Sequence, residues 1–321
     1  MVGTAAAAPT TWSLTWENDS WWALIWGMPY LDARYTNGMR VVRDQALSPD
    51  DTGGLARGAR KLSTALHMGD VELVRFAAGQ SMFTPAVFYA PSNGADVHPY
   101  GAVLSVSGGL AARQAWRLTS LEVSVGVTGP PAFGEPTQVW AHETFGASEP
   151  LGWNQQVQAE PILDIAAGIA IPETASITVG PVCARLVPSV RTQLGTRRVS
   201  LASGVLAAIG TAGDTTEVRP TQGRTGRSVL AAPTRGTGPV GVSLFAFAEA
   251  EAIAHDLILD GGTLRHIPTA GARPLVTELG LGGTARLGPV RVHAVNVLQS
   301  PELTTLDITH VYGNITLSVD L

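Results

Sequence analysis

The sequence predicts an all-β protein whose strands form an antiparallel transmembrane β-barrel of about twelve strands. Apolar and polar residues alternate over segments of about ten residues, as in 242–251 and 315–321, and this period of two is typical of strands in such barrels. Gly (36) and Pro (21) punctuate the whole chain as turn residues do. Charged residues make up only 15% of the chain, against about 25% in ordinary soluble proteins.

Twelve predicted strands follow from this alternation. They cover 11–17, 37–43, 70–77, 100–110, 116–127, 153–163, 180–192, 197–209, 240–254, 274–287, 289–299 and 311–321. An even, antiparallel set of this length suits a membrane barrel, whereas a soluble β-sandwich uses fewer and shorter strands. A soluble all-β binding module therefore stays the alternative. The best candidate helix is the Ala-, Leu- and Arg-rich segment 54–66.

One domain over 1–321 is predicted, because the sequence shows neither an internal repeat nor a low-complexity linker. The Ala-rich segment 1–10 lacks the basic start and long apolar run of a complete signal peptide, so we expect a disordered or residual signal tail. A net charge of -5 with scattered arginines argues against a nucleic-acid partner. The single cysteine, Cys183, excludes an internal disulfide framework and predicts an inert packed thiol.

Strand direction gathers several polar residues at one rim. Odd strands of an antiparallel barrel run one way and even strands return, so Asn18 and Asp19 at the end of strand 1 lie at the same rim as Thr36 and Asn37, which lead into strand 2. Such an oxygen-rich cluster could hold a hard cation. The alternative is turn chemistry alone, since Asn-Asp is a common turn pair and Asn-Gly a strong hairpin signal.

A histidine in the long loop after strand 5 is the candidate base at this rim. Gln138 precedes His142 by four residues, so a helical turn would place both side chains on one face, where the amide could orient the ring or a water. Histidine titrates near neutrality and suits general base catalysis. A plain surface histidine is the alternative.

Taken together, these segments resemble the outer-membrane lipid A 3'-O-deacylase family. The likeness is strongest over 14–163. The motifs that carry it are Glu17-Asn18-Asp19-Ser20, Asp32-x-x-Tyr35-Thr36-Asn37-Gly38, the block Gln80, Met82, Thr84 and Pro85, the pair Pro99-Tyr100, and Gln138-x-x-x-His142 between Gly129-Pro130 and Gly152-Trp153-Asn154-Gln155. As a set these motifs are fairly specific, although none is specific alone.

The resemblance implies an outer-membrane enzyme that hydrolyses an ester-linked acyl chain of lipid A, with lipopolysaccharide as partner and a monomeric barrel. His142 would be the base that takes a proton from water. Asp19, with Asn18, would hold a calcium ion, which acts as a Lewis acid on the ester carbonyl. Thr36 and Gln138 would complete the polar pocket.

Departures from the family pattern concern the expected substrate-binding residues His98, Tyr100, Ser148 and Glu149. The family has a carboxylate where this chain has Ser148, with Glu149 one place later, and an arginine where it has His98. These changes could weaken contacts to a phosphorylated sugar. A catalytically inactive barrel of the same family, with a structural or binding role, is therefore the second alternative.

Overall fold

The computed structural model describes residues 10–19, 34–85, 98–147, 150–172, 174–215, 230, 238–264, 270–305, 307 and 309–321. The strands in these ranges are β1 (Thr10–Asn18), β2 (Arg34–Ala46), β3 (Asp70–Thr84), β4 (Gly101–Gln114), β5 (Arg117–Thr128), β6 (Pro161–Ala170), β7 (Ala175–Val179), β8 (Val182–Gly195), β9 (Arg198–Thr211), β10 (Val240–Asp256), β11 (Leu275–Leu287), β12 (Val290–Gln299) and β13 (His310–Asp320). The helices are α1 (Gly54–Ala65), α2 (Gly134–Phe145) and α3 (Leu257–Asp260).

All these strands belong to one antiparallel sheet that closes on itself into a twelve-stranded barrel. β1 pairs with β13, and β6 pairs with β8 past the short β7. β6 and β7 lie one after the other along β8 and count as one interrupted strand. The interruption faces Pro188 of β8, which accepts from the Ile171 N–H at 3.0 Å but has no N–H to donate in return. The predicted fold class is confirmed.

The wall is apolar outside and polar inside. On β1, Trp12, Leu14 and Trp16 are exposed on the outer face, whereas Thr11 and Glu17 are buried on the inner face. β10 repeats the pattern with Val242 and Leu244 outside. An apolar outer band around a polar interior is the pattern of a membrane barrel. Among the described residues, no helix is long and apolar enough to cross a membrane.

Eleven of the twelve predicted strands coincide with observed strands within a few residues at most ends, but the prediction of a strand at 153–163 is wrong. Trp153–Gln155 forms a 3₁₀ turn and β6 begins only at Pro161. The Trp153 indole instead donates to the Gln138 side chain at 2.8 Å, which draws this segment out of the sheet. Residues 1–9 of the predicted tail lie outside the described residues, and Thr10 already begins β1.

Two rims result from this topology. The motif rim carries the connections after β1, β3, β5, β8, β10 and β12, including α2 and α3. The opposite rim carries α1 between β2 and β3. At the motif rim α3 buries Leu257, Ile258 and Leu259 among lumen side chains. Leu230, from the β9–β10 connection, is buried in the same apolar cluster. The described residues therefore pack apolar groups into the lumen from both rims.

Candidate active site on the outer wall

The helix α2 places Gln138 and His142 on one face, as the sequence predicts. Gly134, Gln138 and His142 are the buried residues of this helix, and residues four apart share a helical face. Phe133, with φ 57°, enters the helix from the left-handed region, and Gly146, with φ 71°, ends it. A left-handed glycine after the last turn is a common helix stop. Thus α2 is a complete three-turn element rather than an irregular loop.

The buried face of α2 lies on the outer surface of β3 and β4. Gln80 and Leu104 share the outward face with exposed Met39, since cross-strand partners point the same way. Ala102, two residues before Leu104 on β4, is outward as well and yet fully buried. Its cover is α2, since a Cβ added to Gly134 would stand 2.6 Å from the Ala102 Cβ.

Hydrogen bonds hold α2 in this position. Gln80 Nε2 donates to the Ala132 carbonyl at 2.6 Å and approaches Thr137 Oγ1 at 3.3 Å. On the helix itself, Gln138 Oε1 accepts from the Trp153 indole. Gln138 Nε2 is buried and has no hydrogen-bond partner among the described residues. Such a group is expected to bind water or a ligand, because an unsatisfied buried donor is costly.

The ends of β1 and β2 bring Asn18 and Thr36 to the same outer wall. Asn18 Nδ2 donates to the Thr36 carbonyl at 2.9 Å, and Thr36 Oγ1 lies 2.6 Å from Thr84 Oγ1 of β3. The register between β2 and β3 shifts at Thr36, between the pairs at Tyr35 and Asn37. Such a bulge re-aims side chains and is common beside functional sites.

Asn37-Gly38 does not form the hairpin turn that its sequence suggests. Both residues lie inside β2, and Asn37 accepts from the Trp16 indole at 2.7 Å. Gly38 makes room for Tyr35, whose hydroxyl would lie 1.9 Å from a Cβ at that position. That hydroxyl donates to the inward Glu17 at 2.5 Å. The glycine is therefore required by packing inside the barrel wall.

Asp19 and Asn18 offer oxygen atoms of the kind that calcium prefers. Asp19 is buried directly after β1. The Asn18 amide nitrogen is used by Thr36, so its oxygen is the atom that could ligate a cation. No group of three or more His, Cys, Asp or Glu side chains suited to a metal occurs in the ranges that the structure describes. The Asp19 carboxylate and the Asn18 amide oxygen fit calcium in chemical kind.

The expected substrate-binding residues do not lie together in the structure. Tyr100 lies beneath α2 in a buried cluster with Met82, Ala102 and Trp153, and it meets Trp153 edge-to-face at 5.2 Å. His98 lies instead on the lumen side, where it stacks on Phe83 and its Nε2 is 3.5 Å from Glu302. Ser148 and Glu149 lie outside the described residues, as do Ser20 and Asp32 of the first motif.

Reasoning from the sequence assigned no chemical role to three residues that position this site. Gln80, Thr84 and Trp153 hold α2 and Thr36 in place through the contacts given above. Their only signal in the sequence was membership of the motif blocks. Cross-strand hydrogen bonds between side chains distant in sequence leave no local pattern.

Comparison with known proteins identifies the family and the fold. The chain matches the model of the family described as Outer membrane protein LpxR over residues 1–321. The chain belongs to this family. The structure of LpxR from Salmonella typhimurium superposes with a TM-score of 0.79 at 19% identity, covering 96% of this chain and 99% of that chain.

Other solved barrels are less similar. The β domain of the Bordetella autotransporter Brka gives a TM-score of 0.40 at 12% identity and covers 98% of both chains. The NanC porin gives 0.38 at 6% identity, with 97% of this chain and 100% of that chain covered. No curated protein matches. Family and fold make this an outer-membrane barrel of the LpxR family, so the alternative of a soluble binding module is wrong.

Proposed function

We propose that this LpxR-family barrel is a lipid A deacylase whose active site is the cleft between α2 and the outer wall of β2–β4. Two observations support the proposal: Gln138 and His142 share the buried face of α2, which packs on the outer wall of β3 and β4, and Asn18, Asp19 and Thr36 lie at the same rim of the barrel. The unpartnered amide nitrogen of Gln138 supports a polar pocket there.

The position of the cleft suits a lipid substrate. Most long connections lie at the motif rim, whereas three connections at the opposite rim consist of two residues, so we infer that the motif rim faces the cell exterior. A cleft on the outside of the wall opens sideways to the outer leaflet, where lipopolysaccharide resides. Acyl chains can then stay among lipids while the ester enters the cleft. Exposed Phe133, Trp140 and Phe145 give the α2 segment an apolar outer surface for such contact.

In the proposed reaction His142 accepts a proton from water as the water oxygen attacks the ester carbonyl carbon. The carbon–oxygen bond to the sugar-linked alcohol then breaks. The imidazolium returns its proton to the leaving oxygen, which gives a free fatty acid and a hydroxyl. Gln138 and Thr36 orient the ester and the water. Asp19 and Asn18 would hold calcium, which supplies Lewis-acid polarisation of the carbonyl when bound.

The test compares refolded protein with its His142→Ala variant on purified lipopolysaccharide, with calcium present or chelated. We expect calcium-dependent fatty acid release that falls about 10²- to 10⁴-fold in the variant, as for loss of a general base. His67→Asn is the matched control, because His67 lies at the opposite rim in a left-handed conformation that Asn tolerates. Absence of release from the folded wild-type protein would favour the catalytically inactive barrel.

A further inference from the structure

The helix α1 also lies on the outside of the barrel. Val74 of β3 and Leu110 of β4 are direct partners on the face that carries exposed Phe76 and Val106. Both are nevertheless buried, in a cluster with Ala56 and Ala59 of α1. Successive residues of a strand alternate faces, so α1 covers wall positions that would otherwise contact lipid.

The height of α1 on the wall matches the opposite edge of the membrane. Ala102 lies under α2 and Ala112 lies in the α1 cluster, ten residues further along β4. At about 3.4 Å per residue and a tilt of about 40°, that separation is about 25 Å along the membrane normal. This equals the apolar band of an outer-membrane barrel, about 25 Å tall. α2 and α1 therefore flank the hydrocarbon region of one wall sector.

The uncovered surface of α1 is amphipathic. Leu55, Leu62 and Leu66 are 40%, 43% and 50% exposed, and at about 100° per residue they fall within about 40° of one another. Trp116 of the β4–β5 turn is also exposed, and the neighbouring Arg117 donates to the His67 carbonyl just past the helix at 3.1 Å. Aromatic residues of this kind concentrate at membrane–water interfaces.

The basic residues of α1 favour contact with an anionic lipid headgroup. The helix contains Arg57, Arg60 and Lys61 and no acidic residue. Arg60 donates to the carbonyls of Ser48 and Asp51, and Arg57 donates to the Thr52 carbonyl at 2.6 Å. Arg57 and Lys61 are exposed on the side of the helix away from the leucines. A helix with an apolar face and basic residues on its polar face binds anionic lipid surfaces in the interfacial plane. The exposed carboxylates nearest in the described chain, Asp50 and Asp70, lie beyond the two helix ends.

We propose that α1 is an interfacial helix that binds anionic phospholipid headgroups of the inner leaflet. Leu55, Leu62 and Leu66 enter the acyl region, continuous with the lipid-facing wall, and Arg57 and Lys61 contact the phosphates. The inner-leaflet assignment rests on the orientation given in the proposed function. The contact with phospholipid itself does not depend on deacylase activity.

Spin labels on the full chain test immersion of the helix. Cysteine is introduced at Leu62 or, as a matched position on the opposite side of α1, at Thr64, both in a Cys183→Ala background reconstituted in phosphatidylcholine–phosphatidylglycerol vesicles. We expect the Leu62→Cys label to collide mainly with oxygen and the Thr64→Cys label mainly with an aqueous nickel chelate. Equal aqueous access at both sites, or shielding of both from both reagents, would overturn the proposal.

Headgroup selection is tested by native mass spectrometry after extraction with both lipids present. We expect wild-type protein to retain phosphatidylglycerol over phosphatidylcholine, and the Arg57→Gln/Lys61→Gln variant to lose that preference several-fold. Arg57→Lys/Lys61→Arg keeps both charges and should restore it. Heat-modifiable migration verifies folding of each variant, and fatty acid release measured in parallel separates this outcome from failure of the proposed enzyme. Unchanged selectivity in the folded glutamine variant contradicts the proposal.

Discussion

At the scale of single residues, the candidate site depends on hydrogen bonds between side chains that are far apart in sequence. Thr36 and Thr84 share one buried contact across β2 and β3, and Gln138 and Trp153 share another above β4. Each pair satisfies polar atoms that lie away from water. A buried polar atom that loses its partner costs about 1–3 kcal/mol, so these pairs fix the positions of the residues that would meet the substrate.

Substitution of the threonine pair should show coupling. Thr36→Val or Thr84→Val alone leaves one buried hydroxyl without its partner, and we expect each to lower the free energy of unfolding by about 1–3 kcal/mol. The double variant should cost less than the sum of the two single variants, because no orphan hydroxyl remains. The measurement is urea unfolding of the wild type, the two single variants and the double variant in one detergent, which together form a double-mutant cycle. Strict additivity would show that the two hydroxyls act independently.

Substitution of Gln138 should distinguish positioning from direct chemistry. Gln138→Leu removes the acceptor of the Trp153 indole, and we expect fatty acid release to fall about 10- to 100-fold, equivalent to about 1–3 kcal/mol. Gln138→Glu keeps an acceptor oxygen and should retain more activity with the indole bond intact. Because the chain has eight tryptophans, the Trp153 signal would be taken as the fluorescence difference between each variant and the same variant carrying Trp153→Phe. A larger loss in Gln138→Glu than in Gln138→Leu would oppose a positioning role.

At the scale of elements, two helices cover opposite ends of the same strand pair by the same means. Both α1 and α2 replace lipid on outward positions of β3 and β4 with small buried residues, Ala56 and Ala59 in one and Gly134 in the other. Small residues let a helix backbone approach the wall closely. Gly134 of α2 is buried, whereas Gly58 of α1 is exposed, and this difference provides a direct comparison.

Gly134→Ala should displace α2, whereas Gly58→Ala in α1 should not disturb its helix. A Cβ on Gly134 would stand 2.5 Å from the Trp153 ring, while a Cβ on Gly58 meets nothing within 4 Å. We expect Gly134→Ala to reduce fatty acid release at least tenfold with the barrel intact. Gly58→Ala should stabilise slightly, by up to about 1 kcal/mol, through helix propensity. Release kinetics and heat-modifiable migration check both, and full activity of Gly134→Ala would contradict the tight packing described.

At the scale of the whole molecule, the lumen is a packed interior. Arg191 and Arg198 share Glu251, with Arg191 also bound to Glu249 at 2.7 Å and Arg198 to Asp256. All of these charges except the half-buried Glu249 are buried. Removal of one partner from a buried pair leaves an uncompensated charge that costs about 3–5 kcal/mol. The same Asp256 accepts from the Ile258 and Leu259 N–H groups of α3. The network thus connects the wall to the helix that fills the lumen at the motif rim.

Arg198→Gln should therefore destabilise the barrel far more than Arg273→Gln. Arg198 is buried between two carboxylates, and we expect a loss of about 3–5 kcal/mol in the free energy of unfolding. Arg273 pairs with Asp307, whose side chain is 85% exposed, and its loss should cost about 1 kcal/mol. Urea unfolding of both variants in vesicles gives the comparison. Similar costs would indicate that water reaches the lumen network freely.

The sequence by itself determined three features through its period-two alternation and its turn residues. These are the barrel fold, the directions of the strands, and the rim to which the motifs belong. These features are local, and each strand carries its own pattern. The motif spacing also predicted that Gln138 and His142 share a helical face, which the structure confirms.

Only the tertiary structure decided on which side of the wall the candidate site lies. α2 and Tyr100 lie outside β4, whereas His98 lies inside the lumen. The sixth strand begins at Pro161, later than predicted, because the Trp153 indole donates to Gln138 of α2. Alternation distinguishes the two faces of a strand, but it does not show which element packs on either face. That choice is made by contacts between segments far apart in the chain, and these leave no periodic signal in the sequence.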